Sequence, residues 1–145
     1  MDNRTYPARP ICGVGIIAFK EDLVLLIQRG QEPRRGEWSI PGGAVELGEP
    51  LRDAATREFA EECGGEIELR DLVEAADIIT RDESGRVKFH YVVVDFWAKW
   101  RGGTLTPASD VMAARWVKPL DLDIYGLPAV TRAAIDKAIA VRRRK

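Results

Sequence analysis

The stretch 50–65, PLRDAATREFAEECGG, decides how the chain is read. At about 100° per residue, positions 50–63 of it form one helix, with Pro50 suited to the first helical position. Leu51, Ala54, Ala55 and Phe59 share a broad apolar face, which is the core face. Glu58 and Glu62, four apart, project inside that same arc, and Glu61 sits at its edge close to Arg57. Clustered glutamates on a helix are ordinarily a solvated surface. Here they lie on or beside the apolar side, where an unpaired carboxylate costs several kcal/mol of desolvation. Like charges four apart add a few tenths more. One arginine, Arg57, cannot neutralise three carboxylates. A divalent cation can, and Mg²⁺ takes carboxylate oxygens, water and substrate phosphates. The periodicity therefore argues for a cation and leaves the substrate open.

The segment just upstream, PGGAVELGE (41–49), carries Gly42 and Gly43 before two more acids, Glu46 and Glu49. Glycines let a backbone approach a ligand closely. A tight turn between strand and helix would use them equally well. Joined to the acids, the loop gives one site with backbone groups on one wall and carboxylates on the other.

Around this centre the pattern is strand-rich. ICGVGIIAF (11–19) and LVLLIQR (23–29) suggest a hairpin, and WS begins a short strand before the glycines. Residues 66–80 and 87–100 read as long strands about a turn at RDESGR, and 114–119 as a short one. Residues 127–145 form an alanine-rich helix. Strands and helices do not alternate regularly, so the reading is α+β, a central mixed β-sheet between helices. One domain covers 1–145, with 1–10 as an N-terminal arm whose Pro7 and Pro10 resist helix.

The chain has 22 basic and 23 acidic residues, so no global field favours nucleic acid or an anionic membrane. The basic tail Arg142–Lys145 lacks interleaved aromatics and suits a solvated helix end. Cys12 and Cys63 are far apart and form no CxxC pair, which argues against a cysteine zinc site, and each reads as a small buried apolar residue. No apolar signal-like segment and no run of about 18 apolar residues occurs, so a cytoplasmic location is expected.

The span 43–65 resembles the Nudix box, G-x5-E-x7-R-E-U-x-E-E-x-G-U with U a bulky aliphatic residue. Gly43, Glu49, Arg57, Glu58, Glu61, Glu62 and Gly64 stand at the matching places. Phe59 fills the first U position with an aromatic ring, and Gly65 stands where an aliphatic residue is usual. RRGEWSIPGG and ARWVKPLDLD resemble the family's flanks. The resemblance implies a Nudix α/β/α sandwich and Mg²⁺- or Mn²⁺-dependent hydrolysis of the diphosphate in a nucleoside diphosphate linked to a moiety X. It implies Glu58, Glu62 and the Gly42 carbonyl as metal ligands, with Glu61 serving a second metal or the attacking water. Arg57 would orient the glutamates, and Glu49 would support the loop or bind metal through water. Asp110, six residues before Trp116, or alternatively Glu61, would be the general base.

Arg29 and Arg35, with Arg34, surround the loop and would grip phosphate or ribose beside Gly43, although loop arginines are commonly just solvated. The lone histidine, His90, reads as a sheet residue, and Trp38, Phe89, Tyr91, Phe96 and Trp97 as mostly core. HYVVVDF and DIYGLPA look most like small bacterial ADP-ribose pyrophosphatase-type members. The proline that many ADP-ribose-specific members carry soon after the box is absent between Pro50 and Pro107. The alternatives are a (d)NTP pyrophosphohydrolase cleaning oxidised nucleotides and a non-catalytic nucleotide-sugar sensor. The partner expected is a small nucleoside diphosphate derivative, with no nucleic acid or membrane. Relatives are often homodimers, and the arm would be able to cross between subunits.

Overall fold

The computed structural model describes residues 4–32, 34–108 and 110–144. The first three arm residues, Pro33 of the polar loop, Ser109 and the tail's Lys145 lie outside the described residues. The strands are β1 (Ile11–Lys20), β2 (Leu23–Arg29), β3 (Trp38–Ser39), β4 (Gly42–Ala44), β5 (Glu66–Arg81), β6 (Val87–Gly102) and β7 (Val111–Val117). The helices are α1 (Leu51–Cys63) and α2 (Ala129–Arg143), and a 3-10 segment covers Pro119–Tyr125.

These strands form one sheet of order β3-β2-β1-β6-β5, with β4 on β1 and β7 on β2. β1 and β6 run parallel, from Ile11↔Tyr91 to Phe19↔Lys99, and the other pairings are antiparallel. The sheet is therefore mixed. β1 is central because both its faces are apolar, and the period-two alternation of a strand sorts them. Val14, Ile16 and Ala18 pack with Ala54, Ala55, Phe59 and Cys63 of α1. Ile17 and Phe19 pack with Ala134, Ile135 and Ala138 of α2. A helix on each face gives the α/β/α sandwich. No helix among the described residues is long and apolar enough to cross a membrane.

Several boundaries differ from the sequence reading for local reasons. Pro50 is the N-cap of α1, with extended backbone at ψ 148°, rather than its first helical residue. Leu51 sits in the first turn of α1 and is exposed rather than core. β7 begins at Val111 because it pairs along most of β2, and it stops before Lys118, where the 3-10 segment starts. α2 is shorter than 127–145, since Pro128 is its N-cap. Cys12 is exposed at the start of β1, while Cys63 is buried and its thiol is pushed up to about 12 by desolvation. The two glycines at 42 and 43 are strand rather than free loop, paired with Gly15 and Val14 of β1.

Gly65, the departure at the last box position, has a steric cause. Its φ is +72°, and a Cβ there would overlap the Trp100 ring. Trp100 packs edge to face on Phe59 of α1 and on Trp116, with ring centroids 6.3 and 5.3 Å apart.

Asp95 is the sheet's electrostatic anomaly. It lies on the α2 side of β6, 4% exposed, between Gly15 and Glu74 on the neighbouring strands. Among the described residues its Oδ1 finds no hydrogen-bond partner, and a Cβ on Gly15 would collide with it. Burial, reinforced by Glu74, pushes its pKa up to about 7. A raised acid costs the fold little below its ordinary pKa, and the cost grows until pH passes the folded value. Asp95→Asn is thus expected to stabilise the protein by about 2–4 kcal/mol at pH 8, shrinking below about 1 kcal/mol at pH 4. Thermal melts of both proteins at the two pH values check this. A gain that did not depend on pH would contradict the buried-charge explanation.

Candidate active site

The site is built where α1 faces β4. Arg57 is its hub. Its Nε and Nη2 donate to the two carboxylate oxygens of Glu49 at 2.7 and 2.9 Å, a bidentate pair. Nη1 donates to Glu58 Oε1 at 2.9 Å and reaches Glu61 Oε2 at 3.3 Å, and Nη2 also donates to the Ala44 carbonyl at 3.1 Å. These contacts push the guanidinium pKa up, led by the Glu49 bond. Glu49 in turn accepts the Glu46 N–H, and with Arg57 it is held down to about 2. Glu49 therefore closes the turn before α1 and fixes Arg57 in place.

Glu58 and Glu62, one turn apart, are half-buried, as the helical projection requires. Gly43 lies directly beneath Glu58, where any Cβ would overlap the carboxylate. Burial raises the Glu58 pKa against the lowering pull of Arg57, and Arg4 of the N-terminal arm adds a smaller lowering pull. Glu62 accepts the Gly42 N–H at 2.8 Å. Burial is the main reason its pKa rises to about 7, with Glu58 and Asp110 pushing the same way and Arg29 opposing. The Gly42 peptide groups are turned away from β1. Ile16 N–H donates to Pro41 O and Val45 N–H to Cys12 O, so the alternation of an antiparallel ladder leaves Gly15↔Gly42 as a non-hydrogen-bonded pair. The Gly42 carbonyl thus leaves the strand on the same side as the N–H that Glu62 holds.

Asp110 reaches the site from the other end of α1. The exposed C-terminal carbonyls of the helix need donors. Thr106 N–H supplies Cys63 O at 2.7 Å and Ala108 N–H supplies Glu62 O at 3.0 Å. Docked in this way, the segment carries Asp110 near enough to Glu62 for their charges to interact.

The pattern of the NUDIX domain matches residues 9–140 of the sequence. The chain belongs to the Nudix family. Its sequence is 31% identical over 119 residues to an ADP-ribose pyrophosphatase of Methanocaldococcus jannaschii, covering 82% of this chain and 65% of that protein. It is 32% identical over 102 residues to the 8-oxo-dGDP phosphatase NUDT18 of Mus musculus, covering 69% of this chain and 29% of that one. The crystal structure of a MutT NUDIX hydrolase from Burkholderia pseudomallei superposes with a TM-score of 0.75 at 30% identity, covering 89% of this chain and 98% of that one. This chain therefore spans less than two thirds of either sequence relative's length.

The Nudix box accordingly occupies one surface formed by β4, the turn after it and α1. Gly42, Gly43, Arg57, Glu58, Glu61 and Glu62 are brought together there, with Glu61 the most solvent-exposed of the acids. The charges of Arg29 and Asp110 both act on Glu62, in opposite directions. Arg35 is exposed in the loop between β2 and β3, and no described contact ties it to the acids. His90 is half-buried in β6 and pairs with Ile79. The aromatic assignments hold in part: Phe96 and Trp97 are core, while Trp38, Phe89 and Tyr91 are half-buried. Sequence reasoning missed Gln31, whose side-chain amide donates to Asp110 Oδ1 at 2.7 Å, and Arg4. Gln31 sits in a polar loop without periodicity, and Arg4 in an arm that looks detached, so neither carries a local signal.

Among the described residues, no three Asp, Glu, His or Cys side chains converge on a single point. The carboxylates that would do so are turned elsewhere, Glu58 onto Arg57 and Glu62 onto the Gly42 N–H. The donor types nonetheless suit a hard divalent cation: two half-buried carboxylates on successive turns beside a carbonyl that the sheet does not use.

Proposed function

We propose that this chain hydrolyses the diphosphate linkage of a nucleoside diphosphate joined to a moiety X, with a divalent cation, Mg²⁺ or Mn²⁺, as cofactor. The observation that carries the reading is the pair Glu58 and Glu62, partly desolvated against Gly42 and Gly43 with one arginine between four acids. Such a cluster is costly for the fold alone and suited to a cation that arrives with a phosphate substrate. Glu58, Glu62 and the Gly42 carbonyl would hold the cation, and Glu61 would contribute at the open side. When bound, it offsets the charge on diphosphate oxygens and acidifies a nearby water.

The protein's own groups do the rest. Arg57, clamped by Glu49, keeps Glu58 aimed past Gly43. Arg29, whose charge is felt at Glu62, would meet a phosphate oxygen. Asp110 would take the proton of the attacking water as its oxygen bonds to one phosphorus. The bridging P–O bond then breaks and its electron pair leaves with the other phosphate. Glu61 is the alternative base, although its carboxylate is 59% exposed and already faces Arg57.

ADP-ribose, or a related nucleotide sugar, is the leading substrate, supported by the likeness to an ADP-ribose pyrophosphatase over 82% of this chain. The second reading is an oxidised nucleotide, favoured by the likeness to an 8-oxo-dGDP phosphatase. A panel with Mg²⁺ separates them by product. Release of AMP and ribose 5-phosphate from ADP-ribose as the fastest reaction supports the first. Faster formation of a monophosphate from 8-oxo-dGDP or 8-oxo-dGTP supports the second. No turnover of any diphosphate in the panel would leave only a sensing role.

A further inference from the structure

Asp110 is held by two different kinds of contact, which do different things. Its backbone is fixed from both sides. Gly30 N–H donates to Asp110 O at 2.9 Å, Val111 N–H donates to Ala108 O at 2.9 Å, and Ala108 N–H donates to Glu62 O at 3.0 Å. Gly30 eases this approach, since a Cβ there would stand 3.2 Å from both the carbonyl carbon and oxygen of Asp110, closer than ordinary contact. None of these bonds sets where the carboxylate points. An aspartate side chain keeps two torsions, and its terminal one is broad. The Gln31 amide supplies the missing constraint, with Nε2 donating to Oδ1 at 2.7 Å. Its neighbours along the chain already serve the site: Gly30 clamps the Asp110 backbone, and Arg29 acts on Glu62.

We infer that Gln31 is a positioning residue, which holds one oxygen of Asp110 so that the other faces the reacting water beside Glu62. The inference rests on the reading of Asp110 as the base. A neutral amide is the suitable partner for this task. It donates one hydrogen bond and fixes direction without forming an ion pair. Lysine or arginine at the same place would tie the group up as a salt bridge. Gln31 acts through Asp110 and needs no contact with substrate, so its removal should affect turnover and spare substrate binding.

The test is a kinetic cycle with Mg²⁺ and the compound turned over fastest in the panel. Gln31→Ala is expected to lower kcat about tenfold, part of what a positioned base contributes, with KM within about twofold. Gln31→Glu keeps the shape but sets carboxylate against carboxylate, and its loss should be larger. In an Asp110→Asn background, Gln31→Ala should have no further effect. Independent losses that multiply would overturn the inference, as would an unchanged kcat in Gln31→Ala. A wild-type kcat in Asp110→Asn, with Gln31→Ala still impaired, would instead sink the base reading and reassign Gln31 to substrate. A readout apart from turnover is the side-chain amide resonance pair of Gln31, which should shift in Asp110→Ala. Resonances that stay in place would show that the contact does not form.

Discussion

Glu62→Gln is expected to lower kcat about 10³-fold, a loss of about 4 kcal/mol of transition-state stabilisation, without unfolding the protein. The two halves of this expectation come from the same geometry. Glu62 is half-buried, and its pKa is raised to about 7 by desolvation and by its acidic neighbours. A neutral amide relieves that burden, and its oxygen can still accept the Gly42 N–H that Glu62 holds at 2.8 Å. The melting temperature at pH 8 should therefore be equal to or above the wild-type value. What the amide cannot do is bind a hard cation as a carboxylate does. Steady-state kinetics with Mg²⁺, beside a thermal melt, reads both halves. A variant that lost activity only because it unfolded would count against a functional role for this side chain.

The largest stability effect is expected at Gly65. Gly65→Leu would restore the residue type usual at the last box position, and it should destabilise the protein by about 3–5 kcal/mol. Two costs add. The backbone is held at φ +72°, a conformation that L side chains adopt with strain, and the new Cβ would enter the Trp100 ring. For a domain of this size the melting temperature should fall by roughly 10 °C or more. The double substitution Gly65→Leu with Trp100→Leu should recover part of the loss, because only the ring overlap is relieved. A single variant as stable as wild type would show that the indole does not occupy that space.

Much of the architecture was legible because it follows from period. The apolar, β-branched runs 11–19 and 23–29 marked a strand hairpin, and the helical arc of 50–63 put Glu58 and Glu62 at the boundary of the core. The box spacing alone carries the likeness to the family. Local rules could not reach features set by distant contacts. Leu51 matches the apolar arc yet is exposed, since the arc does not show which turns of the helix find a partner. Asp95 reads as one polar residue in an apolar strand, and only the register with Gly15 and Glu74 buries it. Gly65 looked like a defect until Trp100, 35 positions away on β6, was seen filling the gap. Gln31 and Asp110 meet across 79 positions, joined by the pairing of β2 with β7.

The central claim is that Glu58 and Glu62 form a divalent-cation site, and Mn²⁺ binding followed by electron paramagnetic resonance tests it most directly. The wild-type protein should remove Mn²⁺ from the free-ion signal in a saturable way, and Glu58→Gln/Glu62→Gln should weaken that binding by about 100-fold or more. If the double variant, still folded by its thermal melt, bound Mn²⁺ as tightly as wild type, the acids of α1 would not be the metal site and the account would be wrong.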